Sequence, residues 1–181
     1  MSAVTPAEIV SFWRDAGPTK WFEHDDAFDL VIKSRFLETH EAAARGELAG
    51  FEDSAEGALA LVILLDQFSR NMFRGSARAF ATDPLSRAVA ERVIARGFDQ
   101  AVDKTMRQFF CLPFMHSELI ADQHRSVQLY EALGDADLSS YALAHRDIVA
   151  KFGRFPHRNR MLGRETTPAE QEFLDGGGFA G

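Results

Sequence analysis

The 181-residue chain is short of several things that would point to a particular chemistry. It has one cysteine, Cys111. An intrachain disulfide is therefore excluded, and with it the staple framework of small oxidised domains. Lodged in Phe-Phe-Cys-Leu-Pro-Phe, that cysteine reads as a small core residue. Long apolar runs are missing too. The longest, Ala58 to Leu65, is closed by Asp66, far short of the roughly 20 residues that span a bilayer. The first residues lack the basic and apolar regions of a secretion signal. A cytoplasmic, soluble protein without membrane partners is the expectation. Excess positive charge is also absent: 20 basic residues face 27 acidic ones, for a net charge of −7. That balance argues against nucleic acid as a partner. No segment alternates with period two, and there is no Walker loop, dinucleotide fingerprint or Gly-x-Ser-x-Gly elbow.

What is present is enough apolar material, 46 % of residues, for a sizeable core. The charge is also unevenly placed. Residues 1–66 carry a net −8, residues 67–164 a net +5, and residues 165–181 a net −4. The stretch Lys151 to Arg164 holds five bases and no acid.

Helix signals recur along the chain. Thr5-Pro6-Ala7-Glu8 and Thr167-Pro168-Ala169-Glu170 both carry an N-cap, a first-position proline and a capping-box glutamate. Gly17-Pro18 ends the first helix, and a second is predicted over 26–45 with Gly46 as its stop. A third starts near Ser54 and continues to about Phe73, with an all-apolar middle that marks it as central. Asp83, read as N-cap, and Pro84 open a fourth. Further helices are predicted over 102–112, broken at Pro113, over 114–133, and from Ser139 or Ser140 to Phe152. The expected architecture is all-α: an α-α superhelix of stacked antiparallel helical hairpins with seven to eight helices. Residues 1–175 are expected to form one domain, and 176–181 a flexible Gly-rich tail.

Two segments combine arginine with aromatic residues at predicted helix ends. In Asp66-Gln67-Phe68-Ser69-Arg70-Asn71-Met72-Phe73-Arg74-Gly75, helical spacing sets Gln67, Arg70, Asn71 and Arg74 on one side. In Phe152 to Arg164, the bases Arg154, Arg158 and Arg164 accompany His157 and Asn159. A guanidinium is a planar fork that takes a carboxylate or phosphate on two donors. Such forks either bind an anionic ligand or pair with carboxylates inside the protein. A third segment holds His116, Glu118, Asp122 and Gln123, with Glu118 and Asp122 four apart. His145 stands alone in a later helix. The histidines lack metal-ligand spacing, so neither a metal nor another cofactor is expected.

Together these segments resemble a known family. Trp21-Phe22, Phe28-Asp29, Arg35-Phe36, Leu64-Leu65-Asp66-Gln67-Phe68 with Arg70-Asn71 and Phe73-Arg74-Gly75, Leu112-Pro113-Phe114-Met115-His116-Ser117-Glu118, Asp122-Gln123, His145, and Phe152 to Asn159 with Leu162-Gly163-Arg164 look like domain-of-unknown-function family 924. Ser69 stands where members often have proline. The resemblance implies a tetratricopeptide-like fold and a polar hot region, but no reaction.

Three functional expectations follow. The favoured one is a pocket for a small anion or a peptide carboxylate, lined by Arg70, Asn71, Arg74, Asp122, Gln123, His145, Arg154, Arg158, Asn159 and Arg164. The second is an enzyme with His116 or His157 as acid/base and Glu118 as its orienting group. The third makes the motifs a buried ion-pair network that fixes helix packing.

Overall fold

A computed structural model describes residues 4–179, and every regular element among them is helical. The α-helices are α1 (Pro6–Phe22), α2 (Asp26–Ala44), α3 (Ala55–Val62), α4 (Ser69–Met72), α5 (Asp83–Ala95), α6 (Lys104–Met115), α7 (Ile120–Leu133), α8 (Ala136–Phe152) and α9 (Pro168–Asp175). The all-α class is as expected from sequence. The chain divides into two compact units. One comprises residues 1–74 and 78–113, the other residues 75–77 and 114–181.

Both capping boxes form. The Thr5 hydroxyl accepts from the Glu8 N–H while the Glu8 carboxylate takes the Thr5 N–H, and Thr167 and Glu170 repeat the exchange. Gly17 leaves helical geometry at φ 76°, kinking α1 where Gly17-Pro18 is expected to stop it. Four boundaries differ from expectation. Helix α6 runs through Pro113 to Met115, because a proline in the last turn costs only one backbone bond. A short loop then separates α6 from α7. Helix α8 starts at Ala136, capped by the Asp135 carboxylate on two N–H groups. Thr82, and not Asp83, precedes α5, and the Asp83 carboxylate is used elsewhere.

The expected third helix is continuous but not uniform. Residues Ile63–Phe68, between α3 and α4, form a π-helical turn, all six buried. A wider turn shifts the helix register by one residue and loosens its carbonyl ladder. Around this rod the first unit packs its aromatic core. Trp13 meets Phe68 and Phe109 edge to face at 5.5 and 5.7 Å, and Phe36 lies 4.9 Å from Phe68. In the second unit α7 and α8 pair. There Ile148, Val149 and Phe155 form a core cluster with Phe152 and Phe173 at its edge. Cys111 is buried, as its apolar neighbours imply.

The entry to α3 leaves no room for a side chain at Gly57. A Cβ there would lie 2.2 Å from the Phe51 carbonyl oxygen, which belongs to backbone and cannot swing away. Gly57→Ala is expected to destabilise the protein by about 1–3 kcal/mol, as over-packing does. The midpoint of urea unfolding measures it.

Candidate functional site

In the first unit, the π-turn buries the Asp66 side chain completely. A buried carboxylate needs donors. Gln67 Nε2 donates to Asp66 at 2.5 Å, and Arg70 Nη1 lies 3.3 Å from its other oxygen. Arg70 also forks onto Asp83 at 2.9 and 3.0 Å and donates to the Asp66 carbonyl. Burial works against the Arg70 charge, but Asp66 and Asp83 outweigh it and hold its pKa above the ordinary value. Arg74, with Asn71, turns instead to α2. Asn71 Nδ2 donates to Asp29 at 2.7 Å, and Arg74 forks onto the same carboxylate at 2.7 and 3.3 Å. The four side chains expected on one face thus serve three different carboxylates, Asp66, Asp83 and Asp29.

The same rod carries a hydroxyl relay. Thr82 Oγ1 donates to the Leu65 carbonyl in the π-turn, so it can only accept from Ser69. The Ser69 proton is then committed, and His40 Nε2 must be the donor in its 2.7 Å contact with Ser69. Burial also lowers the pKa of His40. A histidine that donates to a serine cannot take that serine's proton, so this buried pair is no nucleophilic dyad.

In the second unit, Glu118 stands in the loop before α7, not on one helix with Asp122. It accepts a fork from Arg164 at 2.7 and 3.0 Å and the Phe155 N–H at 2.8 Å. Burial alone would raise its pKa. Arg164, the Phe155 N–H and Arg158 outweigh burial and hold it below the ordinary value. Arg154 forks onto Glu170 at 2.6 and 2.8 Å. The buried Glu170 carboxylate also takes the Thr167 N–H and Asn159 Nδ2. Arg154 dominates a set of contacts that brings its pKa down to about 2. Arg158 is buried, with its guanidinium 4.7 Å from the Phe155 ring centre.

Asp122 and Gln123 serve the start of α7. Ser117 Oγ donates to Asp122, and Gln123 Nε2 bonds the Met115 and Ser117 carbonyls at 2.7 and 2.6 Å. His145 Nδ1 donates to the Tyr141 carbonyl. Its ring lies 5.6 Å from Phe155 and 4.5 Å from Phe179. His157 also sits between Phe155 and Phe179, and its buried Nδ1 has no hydrogen-bond partner among the described residues. Burial first, then Arg158 and His145, lower its pKa to about 3. Phe179, in the segment expected to be a flexible tail, meets both histidine rings; residues 180 and 181 lie outside the described residues.

Among the described residues, the group whose ligand atoms come close enough to share an ion is His24, Asp26 and Asp29. Asp29 already carries the Arg74 fork, so a cation there would compete with a guanidinium. Sequence reasoning named neither Asp29 nor Asp83 as the carboxylates that answer the first arginine motif.

These features define a helical protein of two compact units, each laced by arginine–carboxylate forks. The model of the family described as "Bacterial protein of unknown function (DUF924)" matches residues 9–178, and the chain belongs to that family. It is similar to the solved protein of unknown function ATU0120 from Agrobacterium tumefaciens. The two are 53 % identical over 94 % of this chain and 97 % of that one, with a TM-score of 0.92. No curated protein matches the sequence. Among the described residues no helix is long and apolar enough to cross a membrane.

Proposed function

We propose that the protein is a binding module in which the arginine motifs are internal clamps and the ligand is met elsewhere. One observation carries this. Arg70, Arg74, Arg154 and Arg164 each spend a two-pronged fork on a carboxylate of their own unit, between 13 and 46 residues away in sequence. An anion at any of them would have to displace a carboxylate already held on two donors. A catalytic role for His157 is weakened on the same physical grounds. A group with a pKa near 3 is neutral at pH 7 and a feeble base, and general-base catalysis wants a pKa near the working pH. Glu118, cast as its orienting partner, has both oxygens engaged by Arg164.

A double-mutant cycle on Glu118 and Arg164 tests the clamp. Glu118→Leu strands a half-buried guanidinium, and Arg164→Met strands a half-buried carboxylate. The double variant strands neither, so it should recover much of the loss, with a coupling of about 1–3 kcal/mol. Additive losses would make the pair incidental. A saturable rise in melting temperature with phosphate or acetate, abolished by Arg164→Met, would return the anion reading to this site.

A further inference from the structure

Arg35 belongs to the family pattern but, unlike Arg70, Arg74, Arg154 and Arg164, forks onto no carboxylate. Among the described residues it makes no hydrogen bond or ion pair. Its guanidinium lies over rings instead, 4.7 Å from the centre of Phe12 and 5.0 Å from Phe36. The residue is exposed, and a stacked guanidinium keeps its in-plane donors.

Arg35 opens onto a cleft between α1 and α2, within the first unit, of about 540 Å³. Small-molecule sites commonly fall in that size range. Phe12 and Phe28 form its apolar floor, stacked at 5.6 Å with their planes 10° apart. The α1 wall presents Glu8, Ser11 and Asp15, which share one helical face. The Glu8 carboxylate closes the capping box with Thr5, and the Thr5 N–H and hydroxyl, with a smaller contribution from the Arg35 charge, hold its pKa below the ordinary value. Asp15, like Arg35, has no partner among the described residues. The cleft therefore offers an aromatic floor, a cation with unspent hydrogen-bond donors on one wall and, in Asp15, an anion without a partner on the other.

We propose that this cleft binds a small zwitterion with an apolar body, of the chemistry of an α-amino acid. Its carboxylate meets Arg35, its ammonium faces Asp15, and its side chain lies on Phe12 and Phe28. Charge complementarity selects this class. A simple anion would be repelled by the α1 wall, and a simple cation by Arg35. This rests on the protein being a binding module. It is independent of the Glu118–Arg164 cycle, whose result stands whether or not the cleft is filled.

The test titrates the full chain with L-phenylalanine, 3-phenylpropionate, phenethylamine and the tripeptide Gly-Phe-Gly, followed by NMR or calorimetry. L-Phenylalanine should bind saturably, and the two probes lacking one charge about tenfold more weakly. Arg35→Gln and Asp15→Asn should each weaken phenylalanine binding about tenfold, with unchanged melting curves. Two exposed positions are used so that a folding defect in one leaves the other informative. Tighter binding of Gly-Phe-Gly would keep the chemistry and make a peptide the occupant. Equal binding of phenylalanine and phenylpropionate would overturn the proposal, as would indifference to either variant. So would the absence of saturable binding by every probe up to about 10 mM.

Discussion

Asp66→Ala is expected to cost about 3–5 kcal/mol of stability, the range for breaking a buried ion pair by removing one partner. The side chain of Asp66 is wholly buried and that of Arg70 is 20 % exposed. Taking away the carboxylate leaves the Gln67 amide without its acceptor and removes one of the two anions that hold Arg70 charged. Asp83 still forks Arg70, which sets the lower end of the range. Urea unfolding, followed by far-ultraviolet circular dichroism, measures the loss. Asp26→Ala is the control, because its side chain is 90 % exposed, and it should leave the midpoint where it was. A near-neutral Asp66→Ala would remove the clamp from the first unit.

The consequence reaches beyond stability. The π-turn brings Asp66 and the Leu65 carbonyl to the inside of the rod, where Arg70 and Thr82 meet them. Without the turn these bonds would have no common register. π-Turns often sit at functional sites. Here the turn serves a lattice of hydrogen bonds that ties α5 and α2 to the central rod. A lattice of that kind holds α2 in place, and α2 carries Phe28 and Arg35. The clamps and the cleft are thus two parts of one arrangement: the forks fix the helix whose free guanidinium faces the groove.

How much of this was legible in the sequence depends on how far each signal reaches. Signals confined to one turn read well. Thr5-Pro6-Ala7-Glu8 and Thr167-Pro168-Ala169-Glu170 predict capping boxes, and both form, since the interacting groups are three residues apart. The central apolar rod was legible from its composition, but the π-turn within it was not. A one-residue register shift changes which residues face inward but leaves no mark in composition, and Asp66 and Gln67 fit an ordinary helical spacing as well. The arginine motifs were recognisable as forks, yet their acceptors were not. Asp29 lies 45 residues from Arg74. Asp83 looked like a helix cap because Pro84 follows it, whereas Thr82 precedes α5 with its hydroxyl turned to Leu65. Pairing Glu118 with Asp122 assumed a helix over 114–133 that in fact starts at Ile120, two residues after Glu118. Arg35 was visible in the family pattern but had no neighbouring charge to mark it. Its partners in the cleft come from α1, some twenty residues earlier.

Acid should loosen the second unit in two stages, with signs that can be worked out group by group. The pKa of His157 is about 3 in the fold against an ordinary 6.5. Between those values the unfolded chain takes up a proton that the folded one refuses, so stability falls as pH drops from 6.5 toward 3. Glu170 follows lower down. Its folded pKa of about 2 lies below the ordinary 4.5, so its contribution is complete above pH 4.5 and is lost as pH falls toward 2. Unfolding free energies measured from pH 7 to 3 should therefore decline throughout, more steeply once both groups contribute. His157→Phe keeps an aromatic ring between Phe155 and Phe179 and discards a buried Nδ1 that has no partner. It should flatten the decline between pH 6.5 and 4.5 by the uptake of about one proton. Glu170→Gln should spare that upper window and flatten the lower one, from a protein already weakened at neutral pH by the loss of its fork with Arg154. A decline that neither variant alters would place the acid sensitivity in other groups. His40, whose pKa burial also lowers, keeps some slope in the upper window of every variant; an upper-window slope that His157→Phe does not reduce would mean that His157 is not held neutral by the fold and returns it to consideration as a base.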